Sequence, residues 1–211
     1  MEYDLIIFDC DGTIVDTENL SNGLIALMLN EVGIKVTVEE TVERFRGKGF
    51  SNITAFINDN IDHDLEFNFE ESFRQKCKIL FEAELKAIDC VEHFINNLSV
   101  PCCVASNGPQ IKMKTTLEVT GLNKYLPEPH VFSAYDINKF KPAPDLFLYA
   151  CDKMGANPSK TLVIEDTIVG GQAARNAGMD VLIYAPENQT EYLVAGYKVF
   201  STYCNFDYKS I

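Results

Sequence analysis

The stretch Leu5-Ile6-Ile7-Phe8-Asp9-Cys10-Asp11-Gly12-Thr13-Ile14 decides how the whole chain is read. Four uninterrupted apolar residues read as a buried strand, and Asp9 and Asp11 stand where that strand ends. Gly12 and Thr13 then let the chain turn sharply. Side chains alternate across a strand, so two carboxylates one residue apart share a face only if the pairing persists past the strand end. Like charges that close repel, and one pKa must rise unless a cation joins them. The pair suits a divalent metal, with one carboxylate as nucleophile and the other as proton donor.

Downstream of this segment the pattern turns helical. Leu20, Leu24, Leu27 and Met28 recur at helical spacing before Gly33. Thr37 with Glu40 reads as a capping box opening a helix to about Arg46. Ser51 is a candidate cap for a helix through Ile61, Glu70 to Ile88 reads as a long charged helix, and Asp89 with Glu92 as the start of a helix through Leu98. From Pro101 the texture changes. The runs 102–105, 131–134, 161–164 and 181–184 are β-rich, and helical stretches follow Pro109 and cover 146–154 and 169–177. Strands alternating with helices argue for a parallel sheet with helices on both faces. Right-handed crossovers set all the strands' C-terminal ends along one edge, where such folds bind ligands. Residues 15–86 form a helical insertion into an α/β core made of residues 1–14 and 87–211.

The residues at those strand ends are chemically coherent. The first strand ends in Asp9-Cys10-Asp11, the second in Ser106-Asn107-Gly108, and the fourth in Glu165-Asp166, while Lys141 stands before Pro142 and Pro144 in the loop after the third. The turn at 106–108 leads into a helix N-terminus able to donate backbone N–H to an oxyanion. Each piece alone has a plainer reading: a turn, a solvated lysine, or a helix cap. The calcium-loop reading of Asp9-x-Asp11-Gly12 fails, since the sixth and twelfth positions are Ile14 and Leu20 where an EF-hand needs Gly and Glu. Together, in this order and each at a strand end, the residues describe a site for a metal and a phosphate.

Composition excludes other classes. Eighteen Lys plus Arg against 31 Asp plus Glu give a formal net charge of −13, with no basic run, which argues against nucleic acid or an anionic membrane as partner. No apolar run approaches the ~20 residues of a membrane span, and the first residues, MEYDLIIFD, do not resemble a signal peptide. The seven cysteines, Cys10, Cys77, Cys90, Cys102, Cys103, Cys151 and Cys204, are odd in number and include no C-x-x-C; they read as thiols, mostly in the core, of a cytoplasmic protein in a reducing compartment.

On the motifs DCDGT, ASNG, KPAPD and VIEDTIVGG the chain resembles the haloacid dehalogenase superfamily of aspartyl phosphohydrolases along its whole length. The resemblance implies an α/β, Rossmann-like parallel-sheet core with an inserted α-helical cap. Within the superfamily it looks like the β-phosphoglucomutase and phosphoglycolate phosphatase branch. SNGPQIKMK and YDINKFKPAPDLF are most similar to bacterial sugar-phosphate phosphatases, among them those acting on 6-phosphogluconate. The resemblance implies that Asp9 attacks phosphorus and that Asp11 protonates the leaving oxygen and then deprotonates water. It implies Mg²⁺ held by Asp9, the Asp11 carbonyl and Asp166, with Glu165 as ligand or as support behind them. Lys141, Ser106 and Asn107 would bind phosphoryl oxygens beside the Gly12-Thr13 turn.

The expected substrate is therefore a small phosphate ester, met by a monomer or weak dimer. Arg46 and Lys48, in the segment Arg46-Gly47-Lys48-Gly49, are either exposed turn cations or contacts to the substrate's leaving group. A mutase of the same chemistry is the main alternative. Such mutases usually carry a His where this chain has Ser21 and an Arg where it has Phe50, and both departures weigh against it. A phospho-accepting receiver domain is a further alternative, but it would be shorter and would lack the second Asp.

Overall fold

The computed structural model describes residues 3–45, 50–63, 65–187 and 189–210. Two compact units make up the chain, Met1–Val15 with Lys86–Ile211, and Asp16–Leu85.

The first unit is built on strands β1 (Leu5–Phe8), β2 (Cys102–Ser106), β3 (Val131–Ser133), β4 (Thr161–Glu165), β5 (Asp180–Tyr184) and β6 (Lys198–Phe200). All pair in parallel, in the order β3-β2-β1-β4-β5-β6. Central parallel strands are covered on both faces, which is why β1 and β4 read as unbroken buried runs. Ile7 lies level with Cys103 on one side and Val163 on the other. On one face Leu5, Ile7, Cys103, Ala105 and Val163 pack with Leu146, Phe147 and Ala150, and with Ala173 and Ala174. Phe8, pointing to the opposite face, meets Phe94 edge-on with ring centroids 6.2 Å apart. In this strand order the chain's direction of travel reverses between β1 and β4, and the crevice outside their C-terminal ends is where such sheets bind ligands.

The second unit holds helices α1 (Thr17–Glu31), α2 (Val38–Phe45), α3 (Ser51–Asn60) and α4 (Phe69–Glu84). The capping box forms as expected: the Thr37 N–H donates to the Glu40 carboxylate at 2.8 Å, and the Glu40 N–H to the Thr37 hydroxyl at 3.2 Å. Rings fill the interior, with Phe45 edge-on to Phe56 at 5.5 Å and Phe50 against Phe73 at 5.3 Å.

The first unit's helices are α5 (Val91–Asn96), α6 (Gln110–Thr120), α7 (Ala134–Ile137), α8 (Asp145–Lys153), α9 (Ile168–Asn176) and α10 (Thr190–Val194). Several local expectations are corrected. Ser51 is already inside α3, behind Phe50, and makes no cap bond. The helix expected to reach Ile88 stops at Glu84, because Ala87 forms an antiparallel bridge with Val15 and the Ile88 N–H bonds the Ile14 carbonyl. Neither Asp89 nor its side chain caps α5; Cys90, in the left-handed conformation at φ 64°, precedes it. The strand β6 and the short α7 and α10 carry no clear sequence signal.

The reading of all seven cysteines as thiols is also corrected. Cys90 and Cys204 form a disulfide across 114 residues, with Cα atoms 5.1 Å apart. Tyr203, Phe206 and Tyr208 gather on Phe94 of α5 at 5.2, 5.9 and 6.1 Å, and this aromatic docking brings Cys204 to Cys90. Cys10, Cys77, Cys103 and Cys151 are buried thiols, as expected. Among the described residues no helix is long and apolar enough to cross a membrane.

Candidate active site

Strand pairing carries Asp9 past the end of β1, its N–H bonding the Ile164 carbonyl of β4 at 2.9 Å. The chain then coils on itself: the Cys10 carbonyl accepts from Thr13, Ile14 and Val15, and the Gly12 N–H donates to the Val15 carbonyl. Gly12 takes φ 77°, a conformation open to glycine without the clash a Cβ would bring. The turn is pinned from two sides. The Thr13 hydroxyl donates to Asp166 Oδ1 at 3.1 Å, and the Tyr203 hydroxyl donates to the Thr13 carbonyl at 3.0 Å.

At the centre lies Lys141, 7% exposed, whose ammonium donates to Asp9 Oδ1 at 2.5 Å and to Glu165 Oε1 at 2.8 Å. Burial opposes its charge, yet the Asp9 and Glu165 carboxylates outweigh burial and raise its pKa above the ordinary lysine value. Burial pushes the Asp9 carboxyl up to about 7, against the pull of Lys141 and with a further push from Glu165. The Lys141 backbone N–H donates to Asn107 Oδ1 at 2.9 Å, so the second motif orients the third. Ser106 Oγ accepts from the Gly108 N–H at 3.1 Å, which leaves its own proton for an anion.

Glu165 has both oxygens engaged. Oε1 meets Lys141, and Oε2 accepts from the Asp166 N–H, the Thr167 N–H and the Thr167 hydroxyl at 2.8 to 2.9 Å. Gly170, in the first turn of α9, makes this possible, since a Cβ there would fall 1.7 Å from Glu165 Oε1.

Asp9, Asp11, Gly12, Thr13, Ser106, Asn107, Lys141, Glu165 and Asp166 are thus drawn together at the C-terminal edge of the sheet through direct bonds and adjacent strand ends. Arg46 and Lys48 lie outside the described residues. Sequence reasoning missed three contributors. Lys112 of α6 binds Asp11 Oδ2 at 2.7 Å; Ser133, at the end of β3, donates to the Gly108 carbonyl at 2.7 Å; and Tyr192 donates to the Asp166 carbonyl at 2.9 Å. Ser133 carried a signal as a hydroxyl ending a strand, and Lys112 one as a cation in the first turn of α6.

Two side-chain carboxylates and a backbone carbonyl are available to Mg²⁺, although among the described residues no three His, Cys, Asp or Glu side chains gather as a metal cluster. Asp9 and Asp166 are buried carboxylates at neighbouring strand ends, and hard oxygens suit this ion. Asp11 Oδ1 is buried without a hydrogen-bond partner among the described residues. Among the described residues, Asp9 and Glu165 share the Lys141 ammonium, and Asp11 pairs with Lys112.

Residues 6–184 match the family model described as haloacid dehalogenase-like hydrolase. The chain belongs to that family. It is 31% identical over 192 residues to the 6-phosphogluconate phosphatase of Escherichia coli, covering 90% of this chain and 86% of that protein. It is 29% identical to the fructose-1-phosphate phosphatase YqaB of the same organism, covering 85% and 95%. Among solved structures, a haloacid dehalogenase-like protein of Agrobacterium tumefaciens superposes with a TM-score of 0.86 at 32% identity, covering 95% of this hydrolase and 94% of the other chain.

Proposed function

We propose that this hydrolase is a Mg²⁺-dependent phosphatase acting on a small sugar or sugar-acid phosphate through a phosphoaspartate on Asp9. The carrying observation is the buried Lys141 ammonium held between Asp9 and Glu165 at the ends of β1 and β4. A carboxylate that attacks a phosphate dianion must have its own charge offset, and Lys141 offsets it while offering a donor to an incoming oxygen. The phosphatase names of the two Escherichia coli relatives support the same reaction class.

In this mechanism the Asp9 oxygen bonds to phosphorus as the ester P–O bond breaks, and Asp11 gives its proton to the departing oxygen. Water then attacks phosphorus, Asp11 takes a proton from it, and Asp9 leaves as a carboxylate with phosphate as product. Ser106 donates its free hydroxyl proton to the phosphoryl group, and Asn107 and the Gly12-Thr13 turn cradle the same group. Asp9, the Asp11 carbonyl and Asp166 would hold Mg²⁺, while Glu165, saturated by Lys141 and the Asp166-Thr167 backbone, braces the loop behind them. Bound there, the ion supplies charge neutralisation and orientation for phosphoryl oxygens. Phe50, at the position where related mutases usually carry an arginine, is packed against Phe69 and Phe73, which favours hydrolysis over transfer within a bisphosphate.

Phosphate release from a panel of sugar, sugar-acid, glycolate and nucleotide phosphates tests the proposal. Turnover of a sugar or sugar-acid phosphate, lost in excess chelator and not restored by Ca²⁺, is expected. Full activity in chelator, or isomerisation of a hexose phosphate without free phosphate, would contradict it.

A further inference from the structure

Lys112 lies in the stretch SNGPQIKMK, beyond the strand-end residues of the site, and its ammonium sits 2.7 Å from Asp11 Oδ2. It is the third residue of α6. A cation in the first turn opposes the helix dipole, so local helix preference does not explain its place. The turn at Gly108 lies beside the pair: a Cβ there would be in ordinary contact with both, 3.7 Å from Asp11 Oδ2 and 3.8 Å from the Lys112 side chain. The two oxygens of Asp11 are consequently unlike. Oδ2 is pinned by Lys112, and Oδ1 is buried with no hydrogen-bond partner among the described residues.

Building on the phosphatase reading, we infer that Lys112 is a positioning residue that holds Asp11 by Oδ2 and so fixes the orientation of its carboxyl for proton transfer. In the first half-reaction the proton leaves the Asp11 carboxyl for the ester oxygen as the P–O bond breaks and the Asp9–phosphorus bond forms. In the second, a proton of the attacking water returns to the Asp11 carboxylate as the Asp9–phosphorus bond breaks. Lys112 exchanges no proton in either step. Without it the carboxylate can rotate out of that orientation.

The test compares Lys112→Met with Lys112→Arg on β-glycerol phosphate, whose leaving alkoxide needs a proton, and on p-nitrophenyl phosphate, whose leaving group hardly does. kcat/KM reports the steps through ester cleavage. A general acid is worth about 100- to 10,000-fold, so mispositioning one should lower kcat/KM for β-glycerol phosphate about 10- to 100-fold and that for p-nitrophenyl phosphate several-fold less. Lys112→Arg should restore most of the loss, and inhibition by inorganic phosphate should keep its wild-type constant. In an Asp11→Asn background, Lys112→Met should add nothing further. Equal losses on both substrates, a weakened phosphate inhibition constant, or additivity with Asp11→Asn would overturn the assignment. If Lys112→Met does not fold, Lys112→Gln is measured against the same outcomes. Wild-type turnover of neither substrate would count against the phosphatase reading instead.

Discussion

The two units treat charge in opposite ways. In the α/β unit Asp9, Lys141, Glu165 and Asp166 are buried. In the helical unit the buried polar side chains among the described residues are neutral, Thr17, Asn22 and Thr41, and the ion pairs Arg74–Glu70, Lys76–Glu31 and Lys78–Glu82 stand in solvent. Removing a charge from water is costly unless it is paired and hydrogen-bonded. One unit bears that cost at a single sheet edge, where Asp9 and Glu165 share the Lys141 ammonium and Asp166 accepts from the Thr13 hydroxyl; the other is held by phenylalanine rings and ordinary helix caps. Chemistry and stability are thus assigned to different residues, and substitutions should separate them.

The largest effect should come from Asp9→Asn, which removes the nucleophile while nearly preserving shape. Turnover should fall below about a hundredth of wild type, the lower bound for losing a proton-transfer group alone; the loss of a nucleophile should exceed it. Stability should move the other way. A carboxyl that holds its proton more tightly when folded contributes stability that is present below its unfolded value of 3.8 and lost as pH rises to about 7. In excess chelator at pH 8, the melting temperature of Asp9→Asn should therefore equal or exceed that of wild type. A variant that loses stability relative to wild type as pH rises would show that Asp9 is not an electrostatic burden.

Gly170→Ala should come next. The added methyl would occupy the position of the Glu165 carboxylate, freeing one end of Lys141 and the Asp166-Thr167 loop. Steady-state assays should show a severe loss of turnover with a higher Mg²⁺ requirement, and thermal melts a clear drop in stability. Near-normal kinetics would mean that Glu165 is not the brace.

Phe45→Ala should produce the smallest catalytic effect and still a large structural one. Phe45 is 5% exposed and stacked edge-on against Phe56, and truncating a buried phenylalanine costs about 3 to 5 kcal/mol. Melting should reveal that cost, while turnover of a small aryl phosphate per folded molecule should change by only a few-fold. Loss of aryl phosphatase activity as deep as in Asp9→Asn would dissolve the division between the units.

The parts legible in sequence were those with a repetitive physical cause. Strands β1 to β5 were recognisable because buried parallel strands are continuous apolar runs, and the site residues because the topology sends every strand end to one edge. Strand β6 is three residues at the sheet's rim, Lys198-Val199-Phe200, too short and mixed to show a period. The false extension of α4 to Ile88 followed local composition, which a tertiary bridge between Ala87 and Val15 overrides. Cys90 and Cys204 could not be paired without the aromatic docking that joins them. Lys112 was hidden because it reaches the site from a helix rather than from a strand end, although a lysine in the first helical turn was a local irregularity.

Trapping the covalent intermediate is the most direct test of the central claim. Asp11→Asn, which lacks the base that activates water, should be mixed with Mg²⁺ and p-nitrophenyl phosphate, acid-quenched, and its peptides analysed by mass spectrometry. The account predicts a burst of p-nitrophenol approaching one equivalent per enzyme, and a hydroxylamine-labile phosphoryl group on Asp9. Rapid turnover without a burst, or a phosphoryl group on any other residue, would contradict it.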